Sequence, residues 1–157
     1  MIKDKISLED FFSNNWNAIN SYIDEQFANV AAPFYTSVDI RESRTKFAPV
    51  DNNLYPAGFN NVCMFDMAMI GERMKIYFAG ILKEGDVIGI IPESHTKNLY
   101  YLDHLYALSE VIKNSGHPVV ICSPDHALFS ESLNQEITIT SFSNHSLTLH
   151  PLHFRNN

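Results

Sequence analysis

The stretch "DVIGIIPESHTKNLYYLDHLYALSEVIKNSGHPVVICS", residues 86–123, decides the fold. It opens on "DVIGIIPE", a short apolar run rich in β-branched residues and bounded by turn signals, which reads as a buried strand. "NLYYLDHLYALSEVIKNSG" follows, with Leu99, Leu102, Leu105, Tyr106, Ser109 and Ile112 along one helical face. Lys113 falls in its last turn and Gly116 at the stop, as a helix end prefers. "PVVICS" is a second strand. Strand, helix and strand in so short a span make a βαβ unit, which predicts parallel strands and a right-handed crossover.

Upstream, residues 61–82 repeat the helical pattern. Cys63, Met67, Ile70, Met74, Tyr77, Phe78 and Ile81 make the apolar stripe; Asp66, Glu72, Arg73 and Lys75 mark the polar side, and Asn60 or Asn61 is the expected cap. Gly71 inside this helix costs up to about 1 kcal/mol against Ala, a sign of close packing or a bend. Gly85 and Asp86 then turn the chain. Nearer the N-terminus, Leu8, Phe11, Phe12, Trp16, Ile19, Ile23 and Phe27 predict a helix over 8–28. Ser7 and Asp10 are its capping signal, and Glu9 and Asp10 suit the positive end of the dipole. A short strand is expected near 45–50. Downstream, "EITITSF" and "SLTLHPL" add two strands joined by a Ser/Asn/His turn, with their order in the sheet left open. The expected fold class is α/β, a mostly parallel sheet with helices on its faces, in a single domain over 1–157. The chain ends in "HPLHFRNN", directly after a strand-like segment, as a fragment of a longer protein would.

Composition narrows the partners. With 157 residues the chain suits one domain able to bury about 70% of its unfolded surface. A formal charge of -7, without a Lys/Arg cluster, argues against nucleic acid. Cys63 and Cys122 are expected as buried thiols rather than a disulfide. The N-terminus lacks the apolar region of a signal peptide, and no apolar run reaches the length of a membrane span, so the expected compartment is the cytoplasm. No phosphate-loop fingerprint is present. The histidines, including His117, His126, His145, His150 and His153, are scattered without the Cys or acidic residues of a zinc site.

Two polar stretches carry the candidate site. In open α/β sheets ligands bind beyond the C-terminal ends of the strands. There lies the 92–98 loop, with Glu93, Ser94, His95, Thr96, Lys97 and Asn98. It opens a helix, whose free amides favour a carboxylate or phosphate. Its bland reading is that Ser94 or Thr96 caps the helix. The other, which comes first along the chain, is "RTKFAPVDNNLYPAGFNN", residues 44–61, with Pro49, Pro56, Gly58 and four asparagines among large apolar groups. One reading is a self-braced irregular loop. The other is a rigid polar floor for a small ligand. Asp51, Asn53, Asn60 and Asn61 would supply hydrogen bonds, and Arg41, Arg44 and Lys46 would clamp a carboxylate.

At "KFAPVDNNLYPAGFNN" and "IPESHTKNLYYL" the chain resembles the N-terminal part of the proteobacterial type of glutamate–cysteine ligase, whose fold is related to the ATP-grasp enzymes. Both motifs occur in the family's order, with a helix and a strand between them. The family's pattern commonly has Thr where this chain has Asn52, and family members continue well beyond this length. The resemblance implies a Rossmann-like domain placed ahead of an ATP-grasp core. It also implies an enzyme that joins the glutamate side-chain carboxylate to the cysteine amine through an acyl phosphate. ATP and Mg2+ are implied for the complete enzyme, with neither bound by this chain alone. Glutamate and cysteine are the implied partners, and the two polar stretches their contacts. The alternatives are a non-catalytic amino-acid binding module and a structural remnant whose loops are merely braced.

Overall fold

The structure, a computed structural model, describes residues 5–30, 33–44, 46–93, 97–129 and 135–152. The chain divides into two compact units, Met1–Pro56 and Ala57–Asn157.

The first unit holds helix α1 (Lys5–Phe27) and an antiparallel ribbon of β1 (Thr36–Glu42) and β2 (Phe47–Leu54). α1 begins ahead of Ser7, so Ser7 lies within the helix rather than at its cap, and Glu9 and Asp10 fall beyond the first turn. No described residue of this unit is fully buried, and Phe11, Phe12, Trp16, Ile23 and Phe27 of the apolar stripe are exposed. The ribbon corrects the loop reading of residues 44–61. Residues 47–54 are a strand, twice interrupted in sequence by signals that normally exclude one. Pro49 sits beside a bulge: Asp39 pairs with Asp51 and Ile40 with Pro49, which leaves Val50 unpaired. A two-stranded ribbon tolerates proline there, since the missing N–H takes no bond from a second neighbour. All of β2 is exposed, so no buried face imposes alternation, and the period-2 pattern is absent.

The second unit opens with a 3-10 turn, Phe59–Asn61, followed by α2 (Met64–Ala79), β3 (Ile88–Ile90), α3 (Leu99–Asn114), β4 (Val119–Ser123), β5 (Ile137–Thr140) and β6 (Ser146–Pro151). The sheet order is β3-β4-β6-β5. β3 and β4 are parallel, as the βαβ reading requires, and so are β4 and β6; β5 runs antiparallel to β6. The sheet is therefore mixed, and with the antiparallel ribbon the expectation of a mostly parallel architecture holds only in part. Ile137 and Ile139 of β5 pair with Leu149 and Leu147 of β6, all on the face against α3. Thr138, Thr140, Ser146 and Thr148 occupy the opposite face and are exposed. Within this unit a helix covers one face of the sheet. The core cluster that joins α3 to the sheet holds Leu102 and Leu105 from α3 with Ile121, Phe129, Leu147 and Leu149.

α3 is buried on the sheet side and again where it meets α2, which explains why its buried residues exceed one face and include Asp103, His104, Leu108 and Val111. Leu99, expected on the inner face, is exposed. α2 starts later than expected. Its N-cap is Cys63 and not Asn60 or Asn61: the Sγ accepts from the Asp66 amide at 3.4 Å and donates to Asp66 Oδ2 at 3.1 Å. Cys63 is consequently exposed rather than buried, while Cys122 is half-buried; both are free thiols.

Gly71 is buried in α2 against α3. A methyl group added there would stand 3.7 Å from Val111 Cγ2 and 3.8 Å from the Val111 carbonyl oxygen, ordinary contact distances. Its backbone is helical, so nothing requires glycine. Gly71→Ala is expected to stabilise the protein by about 0.7 kcal/mol through helix propensity and a stiffer unfolded chain. Thermal melting checks this; a fall in Tm would mean that α2 and α3 lie closer than these distances.

Candidate functional site

Three loops hang on the first turns of α3, each through one side chain. The helix is capped by Asn98, whose Oδ1 accepts from the Tyr100 amide at 3.1 Å. The cap is thus Asn98 and not Ser94 or Thr96, and Asn98 is engaged in a structural role. At Tyr101 the phenolic oxygen accepts from the Glu93 amide at 3.0 Å, which ties the end of the β3 exit to the helix. Burial raises the Tyr101 pKa, the hydrogen bond from the Glu93 backbone lowers it, and the Glu93 charge raises it. Next, Asp103 accepts from the Ser143 amide at 3.2 Å and the Ser143 hydroxyl at 3.1 Å, holding the turn between β5 and β6. Burial opposes the charged form of Asp103. The hydrogen bonds from Ser141 and Ser143, with His145 nearby, outweigh that and hold its carboxyl below the usual range. Last, His104 Nδ1 accepts from the amides of Gly58 and Phe59, each at 3.2 Å. Two donors on Nδ1 place the imidazole proton on Nε2. Burial holds the His104 pKa below its ordinary value, against the field of Glu93.

The end of the first polar stretch and the start of the second therefore meet the same two turns of helix. Residues 58–61 reach His104, and Glu93 reaches Tyr101; the Tyr101 and His104 rings are 5.5 Å apart. Asn60 lines a cleft of about 880 Å3 between α2 and α3, with Met67, Asp103, Tyr106, Ser143 and His145. Tyr106 and His145 stack there at 3.9 Å with their planes 3° apart. Asn61 and Glu93 are exposed.

The other expected site residues lie in the first unit. Arg41 is on β1 opposite Ala48, and Arg44 and Lys46 flank the ribbon's turn, where the Lys46 amide donates to Ser43 Oγ at 3.1 Å. Asp51 accepts from Asn53 Nδ2 at 3.2 Å, so these two brace each other, as the structural reading of the stretch proposed. Asp51 also stands opposite Asp39, a cross-strand pair of like charges on an exposed ribbon. Arg41, Arg44, Lys46, Asp51 and Asn53 are all exposed. Among the described residues Arg44 makes no ion pair with Asp51. Ser94, His95 and Thr96 lie outside the described residues.

Tyr101, Asp103 and His104 were not anticipated as anchors. The signal was "LYYLDHL": Leu102 and Leu105 bracket Asp103 and His104 so closely that polar groups are drawn into the packed arc. Buried polar groups need partners, and here the partners are loops.

The profile of the GshA family, glutamate-cysteine ligase, matches residues 9–157. The chain is also similar to a crystal structure from Methylobacillus flagellatus KT, of a protein assigned as a gamma-glutamylcysteine synthetase. The TM-score is 0.83 and the sequence identity 29%, over 99% of this chain and 36% of that one. This chain thus spans little more than a third of the length of that protein. No curated protein matches the chain.

Proposed function

Since the chain belongs to the glutamate-cysteine ligase family, we propose that it is the substrate-binding front portion of a ligase that joins the side-chain carboxylate of glutamate to the amine of cysteine. The observation that carries this reading is the family match across residues 9–157, which takes in both polar motifs. The convergence of residues 58–61 and Glu93 on α3 supports it, because a small polar ligand is best held by loops braced on a rigid element. In this reading Asn60, Asn61 and Glu93 of the second unit supply hydrogen bonds and charge to a substrate; on the first unit, taken by itself, Arg41, Arg44 and Lys46 attract a carboxylate. Ser94, His95 and Thr96 join the second loop's contribution. The described residues contain no group of three or more His, Cys, Asp or Glu side chains arranged to hold a metal ion. In this reading ATP and magnesium are needed by the complete enzyme and are not bound by this chain alone.

Calorimetric titration of the chain with glutamate and with cysteine tests the proposal: saturable heat from at least one is expected, and none from either overturns it. Arg44→Lys is expected to weaken that binding about tenfold, because lysine lacks the planar fork that meets a carboxylate with two hydrogen bonds. Its stability should stay within about 0.5 kcal/mol of wild type, as for other exposed positions. A large melting shift with unaltered affinity would remove Arg44 from the site.

A further inference from the structure

His104 is 4% exposed, on a helix where Leu102, Asp103, Leu105 and Leu108 are buried beside it. Its Nδ1 takes both amides that open the 3-10 turn Phe59–Asn61, a turn without a side-chain cap of its own. Gly58 has φ of 116°, a backbone state that few side chains tolerate, so a local capping residue is disfavoured at that place. The imidazole does from 45 residues away what an N-cap does locally. We propose that His104 is a positioning residue: neutral, it pins residues 58–61, and with them Asn60 and Asn61, to α3; protonated, it releases them.

The chemistry follows from the lone pair. Neutral imidazole with its proton on Nε2 accepts at Nδ1; the imidazolium carries N–H on both nitrogens and accepts at neither. Two amide dipoles would then face a cation in a buried place. The groups around the ring are Gly58 and Phe59 from the 3-10 turn, Tyr101 from α3, and Glu93 from the loop after β3. Glu93 favours the imidazolium; burial disfavours it more, and the folded pKa lies below 6.5. The pinned state is therefore complete above pH 6.5 and is lost as pH falls below that value through the folded pKa. Any effect on substrate rests on the ligase reading above.

Hydrogen exchange at the Gly58 and Phe59 amides tests the pin, each corrected for its unfolded-chain rate at that pH. In the wild-type chain their protection should fall about tenfold from pH 7.5 to pH 5, while the amides of the α3 interior keep theirs. In His104→Asn, whose Oδ1 can take the acceptor's place without titrating, protection should be equal at both values. Wild-type protection that does not change with pH, or an acid loss that persists in His104→Asn, overturns the pin; the wild-type measurement stands even if the variant folds poorly. Glutamate and cysteine titrations at the same two pH values read the positioning role, with about tenfold weaker binding expected in acid. Amides that open while affinity holds would overturn that role. A wild-type chain that binds neither amino acid at pH 7.5 overturns the ligase reading, and the exchange result then decides the pin by itself.

Discussion

Leu149→Ala is expected to lower the stability of the protein by about 3 kcal/mol, the middle of the range for a fully buried leucine. Leu149 is 0% exposed. It lies on β6, one of the two strands bordered on both sides, opposite Ile121 of β4 and Ile137 of β5. Leu102, Leu105, Phe129 and Leu147 share its cluster. Strands hydrogen-bonded on each side cannot close around the missing methyls, so the cavity term adds to the lost transfer energy. A whole domain is stable by only about 5–15 kcal/mol, so this single change removes a large part of the reserve. Urea denaturation measures it directly. Thr148→Ala, on the exposed face of the same strand, serves as the control and should cost no more than about 0.5 kcal/mol. Equal costs at the two positions would show that the sheet is not packed on the Leu149 side.

Asp103→Ala should destabilise by about 2 kcal/mol at neutral pH, because it removes a charged acceptor of several hydrogen bonds from a site 6% exposed. The turn between β5 and β6 loses its tether through Ser143, and the cleft wall formed by Ser143 and His145 loses its support. The pH dependence has a fixed sign. Despite burial, the bonds from Ser141 and Ser143 and the nearby His145 hold the folded pKa below 3.8. The carboxylate's contribution is therefore present above pH 3.8 and is lost as pH falls below it through the folded pKa. The deficit of the alanine variant, read from denaturation curves, should be full at pH 7 and shrink at pH 3. A deficit of equal size at both would assign the effect to packing and not to the ionised carboxylate.

Helices and strands with a buried side were legible from periodicity alone. The βαβ unit around α3, the existence of β5 and β6 with a short turn between them, and the stop at Lys113 and Gly116 all follow from local signals that the packing reinforces. Of the ribbon only the start of β2 was legible, as the short strand expected near 45–50; β1 and the rest of β2 were not, because the strands lie exposed and the prolines and asparagines carry the chemistry of a loop. Cys63 was placed in the apolar stripe of α2, yet it caps that helix; a thiol at a helix start has no pattern that separates it from a thiol within the helix. Of the candidate site, residue types and not their placement in space were legible. Residue types and their position at a strand exit pointed to Glu93 and to the asparagines of the first stretch. Asn98, read as a ligand contact, caps α3, a role the sequence reading gave to Ser94 or Thr96.

Sequence by itself determined the α/β class, the parallel pairing of β3 with β4, and, through two long unusual motifs, the family to which the chain belongs. Each of these rests on neighbours along the chain, whose spacing is the physical signal. Tertiary structure alone decided that β6 lies between β4 and β5, and that Tyr101, Asp103 and His104 each hold a distant loop. Those contacts join residues up to 46 apart. A buried polar side chain announces that it must have a partner, but only the folded chain determines which backbone amide arrives to meet it.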